Sequence, residues 1–439
     1  MKTNLLLESR NNKDHGTRTE SGLNILVCGA TGFIGAAVCD RLERSGHRVV
    51  RGVRHATQPN ELAIDYSRDI EAAQWEPRLQ GIDVVINAVG ILIEQPRASF
   101  DNIHTQAPLA LFEACQRQRV QRVIQLSALG AQTGATAYFR SKLAADDGLR
   151  SLELSSCIVR PALVYGPSGS SSAFFRMFAS LPVHSLPAGG HQRLRPVHVD
   201  DLAELIEQLI GAGAGAPDVV DVVGGEEVAY REMLAIYRRS LGLGTALQIP
   251  VPGWLIGISA ALLDRIPGSM LTRDTWRMLQ AGSTGDVAAT TALLGRPPRG
   301  LRTFIGRDAT TLRQQALAAW QPILLRSVLA FVWLWTAAAS LLLYPRDGSM
   351  ALLGRAHLHG ASAVTAFYLA VLLDLAFGVM TLVKPGRRLW LAQGVLIAAY
   401  TLIIAITMPQ TLWDPFGAIL KNLPILAVLL ILFNEGAAS

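Results

Sequence analysis

The run Asn24-Ile25-Leu26-Val27-Cys28 followed at once by Gly29-Ala30-Thr31-Gly32-Phe33-Ile34-Gly35 constrains this chain more than any other feature. Five residues that are almost all apolar read as a buried strand, and the glycine-spaced segment reads as a loop opening a helix. Gly29 suits the tight turn. Gly32 lets backbone approach a pyrophosphate without a Cβ in the way. Gly35 permits close packing of helix on strand. The N–H groups and positive dipole end of the helix then face the phosphates. Thr31, Phe33 and Ile34 line the same loop and complete the expected dinucleotide cradle.

Strand-like and helical stretches alternate from there. Residues 48–53, 83–87, 122–127 and 155–160 read as apolar strands, and residues 101–117 and 138–149 read as helices between them. Continuous apolar strands separated by helices predict a doubly wound α/β domain with a parallel sheet covered on both faces. Its ligands are expected beyond the strand carboxyl ends. Residues 161–320 are less regular and are assigned to a smaller substrate lobe, with helices expected at 199–209 and 227–239. The stretch 251–263, with Trp254, is read as a core helix or a membrane-surface helix.

The chain has 439 residues, half of them hydrophobic, and the excess sits in the last quarter. Four spans are expected there, at 323–344, 361–383, 389–408 and 416–433, the last interrupted by Lys421 and Pro424. Trp333, Trp335, Tyr344, Trp390 and Trp413 are read as including interfacial aromatics. Lys384, Arg387 and Arg388 fall in one short loop, which places that loop and the α/β domain on the cytoplasmic side of the cell (inner) membrane. Arg346 and Arg355, in the preceding loop, go against this charge pattern. Asp374, in the second span, is expected to face the bundle interior, with Arg326 a candidate partner that is otherwise expected to snorkel. The division is therefore a flexible tail over 1–21, a Rossmann domain with substrate lobe over 22–310, and a four-helix membrane bundle over 320–435.

Net charge is +6, with no Lys/Arg block interleaved with aromatics, so nucleic acid is not an expected partner and an anionic bilayer is. Cys28, Cys39, Cys115 and Cys157 form no C-x-x-C pair and read as reduced core residues, and no metal constellation is visible.

Tyr138 and Lys142 are four apart on a predicted helix and so share a face. The spacing predicts that the lysine ammonium lowers the phenol from its usual value near ~10. A phenol so tuned exchanges a proton with a substrate oxygen as hydride moves. Ser127, at a strand end, is placed to hydrogen-bond the same oxygen. At the end of the second strand stand Arg51 and Arg54 and no acid, which favours the 2′-phosphate of NADP(H) over NAD, with Arg54 the leading contact.

These pieces together resemble the short-chain dehydrogenase/reductase superfamily, in its extended or atypical epimerase-like branch, over residues 24–300. The resemblance rests on G-A-T-G-F-I-G at 29–35, N-A-V-G at 87–90, the helix at 100–115, L-S-A at 126–128, Y-F-R-S-K at 138–142, R-P-A-L-V-Y-G-P at 160–167 and R-P-V-H-V-D-D-L-A at 195–203. It implies catalytic roles for Ser127, Tyr138 and Lys142. It sets Asn102 in either a proton-relay or a structural role. It puts Asn87, Ala88 and Gly90 in the cofactor-lining turn, Pro161 to Val164 beside the nicotinamide, and Asp65 near the adenine. Residues 320–435 resemble the DoxX-like four-helix family. Three functions stay open: a membrane-anchored NADP-dependent oxidoreductase with a lipid-like or quinone-like small-molecule substrate, a non-catalytic NADPH-binding module of a membrane complex, and a nucleotide-sugar epimerase or dehydratase.

Overall fold

The computed structural model describes residues 22–212, 215, 217–266, 269–412 and 420–435; the expected tail at 1–21, part of the loop at 211–217, and Trp413 lie outside them. Packing divides the chain into two units, Met1–Arg313 and Gln314–Ser439.

In the first unit, β1 (Asn24–Cys28) is an inner strand of a seven-stranded sheet. It pairs in parallel with β2 (Arg48–Val53) on one side and with β4 (Val84–Asn87) on the other. β3 (Glu61–Ala63) extends the first side. The other side continues through β5 (Arg122–Leu126), β6 (Ser156–Pro161) and β7 (Val219–Val222), giving the order β7-β6-β5-β4-β1-β2-β3 with every pair parallel. The chain reverses its direction of travel across the sheet between β1 and β4. That switch point opens a crevice at the strand carboxyl ends.

The alternation of β1 shows why both faces must be covered. Ile25 and Val27 pack with Val38 and Leu42 of α1 (Phe33–Arg44) and with Leu202 and Ile206 of the helix Val199–Gly211. Leu26 and Cys28 point the other way, against Leu111 and Cys115 of the helix Ala107–Arg117 and Ala145 of the helix Ala137–Arg150. Successive strand residues alternate faces, so an all-apolar strand has two cores to fill. The four cysteines are free and buried in these cores. The expected helix at 101–117 is present, but its first turn, Asp101–Gln106, is π-helical. The expected helix at 227–239 starts three residues late, at Tyr230, because Val228 and Ala229 pair as a short strand with Arg193 and Leu194.

Among the described residues three helices are long and apolar enough to cross a membrane, at Ala309–Leu343, Ala361–Val383 and Arg387–Thr407. The fourth expected span is helical among the described residues only over Asn422–Glu435, 14 residues. The loop carrying Arg346 and Arg355 is itself a helix, Arg346–Arg355. Trp333 and Trp390 are buried within the second unit, whereas Trp335 and Tyr344 are exposed, and the inward turn of Trp333 has a physical reason. It is polar satisfaction in an apolar surround. Trp333 Nε1 donates to Gln393 Oε1 at 3.0 Å, and Gln393 Nε2 donates to Thr381 Oγ1 at 2.9 Å. Asp374 is buried as expected. Arg326 does not pair with it: its guanidinium reaches the carbonyls of Thr381 and Leu382 at the end of Ala361–Val383.

Candidate active site

The glycine loop sits on the switch point. Gly29 has φ +81° and its N–H donates to the Gly52 carbonyl at 3.1 Å, which turns the chain off β1. A Cβ on Gly35 would lie 2.1 Å from the Gly29 carbonyl oxygen, so the first turn of α1 rests directly on the loop. The N-cap is Gly32, with no side-chain cap and no acid in the first turn. The leading N–H groups of α1 therefore face outward without a side-chain acceptor, as an anion cradle requires. Thr31 is exposed beside them, and Ile34 packs down on the core. Phe33 turns away from the loop, toward Gly166 and Gly169.

The register Cys28↔Asn87 sets Ala88 beside Gly29. The position of a Cβ on Gly29 is 3.1 Å from Val89 Cγ2, and that of a Cβ on Gly90 is 3.2 Å from Lys142 Nζ and 3.5 Å from His104 Nε2. The glycine loop, the 88–90 turn and Lys142 thus lie side by side, with Lys142 Nζ bonded to the Val89 carbonyl. The Asn87 side chain does not open on the crevice. It is fully buried, accepting from Tyr66 Oη at 2.9 Å and donating to Gln125 Oε1 at 2.7 Å.

The helix Ala137–Arg150 is capped by Thr136, whose Oγ1 accepts from the Phe139 N–H at 3.2 Å. Its inner face carries Tyr138, Lys142 and Asp146 at successive four-residue steps. Lys142 Nζ donates to the Leu126 carbonyl at 3.0 Å and the Val89 carbonyl at 3.4 Å, clamping the ends of β5 and β4 together. Burial lowers Lys142 to about 8. Tyr138 sits edge-on to Phe100 and His104, with ring centroids 5.9 and 5.4 Å away. Burial, with Asp146 second, pushes its phenol up to about 12. The lowering expected from Lys142 is therefore not seen: desolvation of the ring sets the direction and the Asp146 carboxylate adds to it.

Ser127 also differs from expectation. Its hydroxyl donates to Asp146 Oδ2 at 2.7 Å, and Arg160 Nε stands 3.6 Å from the same oxygen. Asp146 was not singled out from the sequence, although its place one turn beyond Lys142 was the available signal. His104 is the other addition. Its Nε2 accepts from the Ile91 N–H at 3.0 Å, so Nδ1 carries the proton and faces Ser141 Oγ at 2.9 Å. Burial, with Lys142 second, holds His104 neutral, at about 2. Asn102 is half-buried on the π-helical turn, and its backbone N–H donates to Ser99 Oγ at 3.2 Å. Pro161 is buried, with its carbonyl accepting from the Leu129 N–H at 2.9 Å, and Val164 begins a short strand paired with Val197.

The two arginines after β1 separate clearly. Arg51 is tied to α1, donating to both Glu43 oxygens at 2.9 and 2.8 Å and to Asp40 at 3.1 Å, so its place as a phosphate contact is withdrawn. Arg54 is exposed at the end of β2 and has neither hydrogen bond nor ion pair among the described residues. Asp65 accepts from the Ser67 N–H at 3.0 Å and Oγ at 2.6 Å, bonds that hold its carboxyl below the usual range.

Residues 25–222 match the NAD dependent epimerase/dehydratase family, and residues 330–430 match the DoxX-like family. The chain thus joins an epimerase-like Rossmann domain to a DoxX-like helical domain. It is 25% identical over 236 residues to the mitochondrial NADH-ubiquinone oxidoreductase 40 kDa subunit of Neurospora crassa, covering 52% of this chain and 62% of that one. It is 27% identical over 188 residues to a ceramide reductase of Caulobacter vibrioides, covering 41% and 58%. The chain spans about three fifths of the length of these curated relatives. A UDP-glucuronic acid 4-epimerase from Bacillus cereus in complex with NAD superposes with TM-score 0.52 at 17% identity, over 67% of this chain and 100% of that one, a likeness of fold.

Proposed function

We propose that this chain is a membrane-anchored NADP(H)-dependent oxidoreductase of the short-chain dehydrogenase/reductase type, working as a carbonyl reductase on a lipid-like or quinone-like substrate. Its Rossmann domain lies on the cytoplasmic side of the inner membrane. The observation that carries the reading is the placement of the glycine loop, the 88–90 turn and Lys142 side by side, with Tyr138 one turn before Lys142 on the same helix.

The open N-terminus of α1 and the glycines before it fit a pyrophosphate, with the Thr31 side chain and the backbone of Gly32, Phe33, Ile34 and Gly35 around it. Gly90 and Lys142 fit a ribose, and Pro161 and Val164 flank the ring beyond it. Asp65 is assigned to an adenine amine through the carboxylate oxygen that Ser67 does not use, which stands 3.7 Å from the exposed Arg68 Nε. When bound, the dinucleotide supplies the hydride. Tyr138 donates its proton to the carbonyl oxygen. A phenol raised to about 12 is fully protonated at neutral pH, which is the form a reduction needs. Lys142 holds positive charge beside the developing alkoxide. Ser127 acts as a positioning residue through Asp146.

Arg54, unpaired and always charged, is assigned to the 2′-phosphate. Arg54→Ala is expected to weaken NADPH binding by about 10- to 100-fold, the worth of one or two charge-assisted hydrogen bonds, and to leave NADH binding unchanged. Titration of both dinucleotides by fluorescence checks it; equal losses for both would remove Arg54 from cofactor choice.

Because Lys142 titrates near 8, kcat for reduction is expected to be flat below that pH and to fall about tenfold per unit above it. Below 8 the lysine is cationic; above it the charge beside the alkoxide is lost. The inflection disappears in Lys142→Met. A wild-type profile flat to pH 10 would deny Lys142 this part.

Two observations favour a second reading. Ser127 gives its hydroxyl to Asp146 and not to the crevice, and the Neurospora relative is named as a subunit of an NADH-ubiquinone oxidoreductase. A non-catalytic NADPH-binding module of a membrane complex would bind the cofactor and leave it unoxidised with every carbonyl offered.

A further inference from the structure

Gly253–Leu263 is an 11-residue helix whose one polar side chain is Ser259. A surface helix ordinarily hides an apolar stripe and shows a polar face. This one shows apolar residues outward. Only Ala260 is fully buried, while Trp254 is 69% exposed, Ile258 51% and Leu262 62%. The strand Leu247–Val251, which leads into it, adds exposed Leu247 and Ile249. A run of this kind marks an interaction surface, where singly scattered exposed residues would not.

The inner side of the helix is bare backbone. Positions for a Cβ on Gly253 and Gly257 lie 3.6 and 3.9 Å from the Trp276 ring, on the helix Arg273–Ala281. Asp274 of that second helix accepts from the Ala137 N–H at 3.0 Å, one residue before Tyr138. One rigid helix therefore links the apolar face to the tyrosine. At about 1.5 Å per residue the exposed helix is roughly 16 Å long, about half of what crossing a bilayer needs. Its length and composition suit lying in the interface. Trp254 stands near its start. Arg265, just past its end, bonds the Ala261 carbonyl and pairs with no carboxylate among the described residues, so its charge is available to headgroup phosphates. The same chain carries apolar spans from residue 309 on, which keeps a lipid surface at high local concentration.

We propose that this face seats in the headgroup layer of the bilayer that holds the C-terminal unit, and that the Tyr138 site takes its carbonyl substrate from lipid through it. The substrate half of this inference rests on the reductase reading; the seating does not. Because all four native cysteines are buried, an introduced surface cysteine takes a thiol-reactive fluorophore selectively. The full chain in phosphatidylglycerol–phosphatidylcholine nanodiscs is labelled at Leu262→Cys or, as a control, at exposed Glu153→Cys. Lipids bearing a nitroxide near the headgroup are expected to quench the label at 262 and to leave the label at 153 unchanged. Unquenched fluorescence at 262 overturns the seating, and label-to-label energy transfer in its place would give the face to a second copy. If the seating holds, Ile258→Asp with Leu262→Asp raises KM for a long-chain ketone dissolved in the bilayer and leaves kcat and NADPH affinity as they were. An unchanged KM overturns the lipid route. A wild-type chain that seats but never oxidises NADPH counts against the reductase reading and leaves the seating standing.

Discussion

Tyr138→Phe is expected to lower kcat for NADPH-dependent carbonyl reduction by about 10²- to 10⁴-fold, the range for losing a positioned general acid. The substitution removes one hydroxyl from a ring held by Phe100 and His104, so its packing survives. NADPH affinity is expected to stay within about twofold, since the cofactor contacts assigned to α1, Gly90 and Lys142 are untouched. The split between a large loss in kcat and an intact cofactor titration separates a chemical role from a structural one. Should Tyr138→Phe turn over like the parent, the proton comes from elsewhere. His104 is a poor substitute, because its imidazole is held neutral with its Nδ1 proton facing Ser141.

Gly35→Ala is the second large effect, and it runs against ordinary helix propensity. Alanine for glycine inside a helix normally stabilises by about 0.5–1 kcal/mol. Here the added Cβ would lie 2.1 Å from the Gly29 carbonyl oxygen and 2.8 Å from its carbon. Both are backbone atoms, and the Gly29 backbone is tied to Gly52 across the β1–β2 pair. Neither neighbour is the yielding end of a side chain, so the helix must move off the loop. Overpacking of that kind costs about 1–3 kcal/mol, more than the propensity gain. The lifted helix start also loses its aim at the pyrophosphate. A lower thermal midpoint together with a tenfold or greater loss of NADPH affinity is expected (~1.4 kcal/mol or more). Unchanged values for both would show that the loop and helix do not need the contact.

Much of this arrangement was legible in the sequence because its signals are local. β2 spans 48–53 as its Val-rich segment predicts, and the glycine spacing, the strand ends and the four-residue step from Tyr138 to Lys142 each need only a short window. What the sequence did not disclose depends on residues far apart in the chain. The Ser127 hydroxyl finds Asp146 across 19 positions, and Asn87 spends its amide on Tyr66 and Gln125. Arg51 and Arg54 look alike in a strand-end motif; only the packing of α1 against β2 brings Asp40 and Glu43 to the first and leaves the second open. The direction of the Tyr138 shift followed the same logic. Four-residue spacing brings a cation near, but the aromatic wall of Phe100 and His104 comes from another helix, and burial sets the sign. In the membrane unit, composition alone marks the spans, whereas the inward turn of Trp333 depends on Gln393, 60 positions away.

Single-turnover hydride transfer tests the central claim most directly. The purified full chain in nanodiscs is mixed with NADPH deuterated at the nicotinamide C4 and with long-chain ketones or quinones dissolved in the bilayer. The expected result is deuterium on the product: at the carbinol carbon of a ketone with one C4 face of the cofactor as donor, in wild type and not in Tyr138→Phe. NADPH that binds stoichiometrically and stays unoxidised with every carbonyl offered would contradict a reductase and leave a cofactor-holding module in its place.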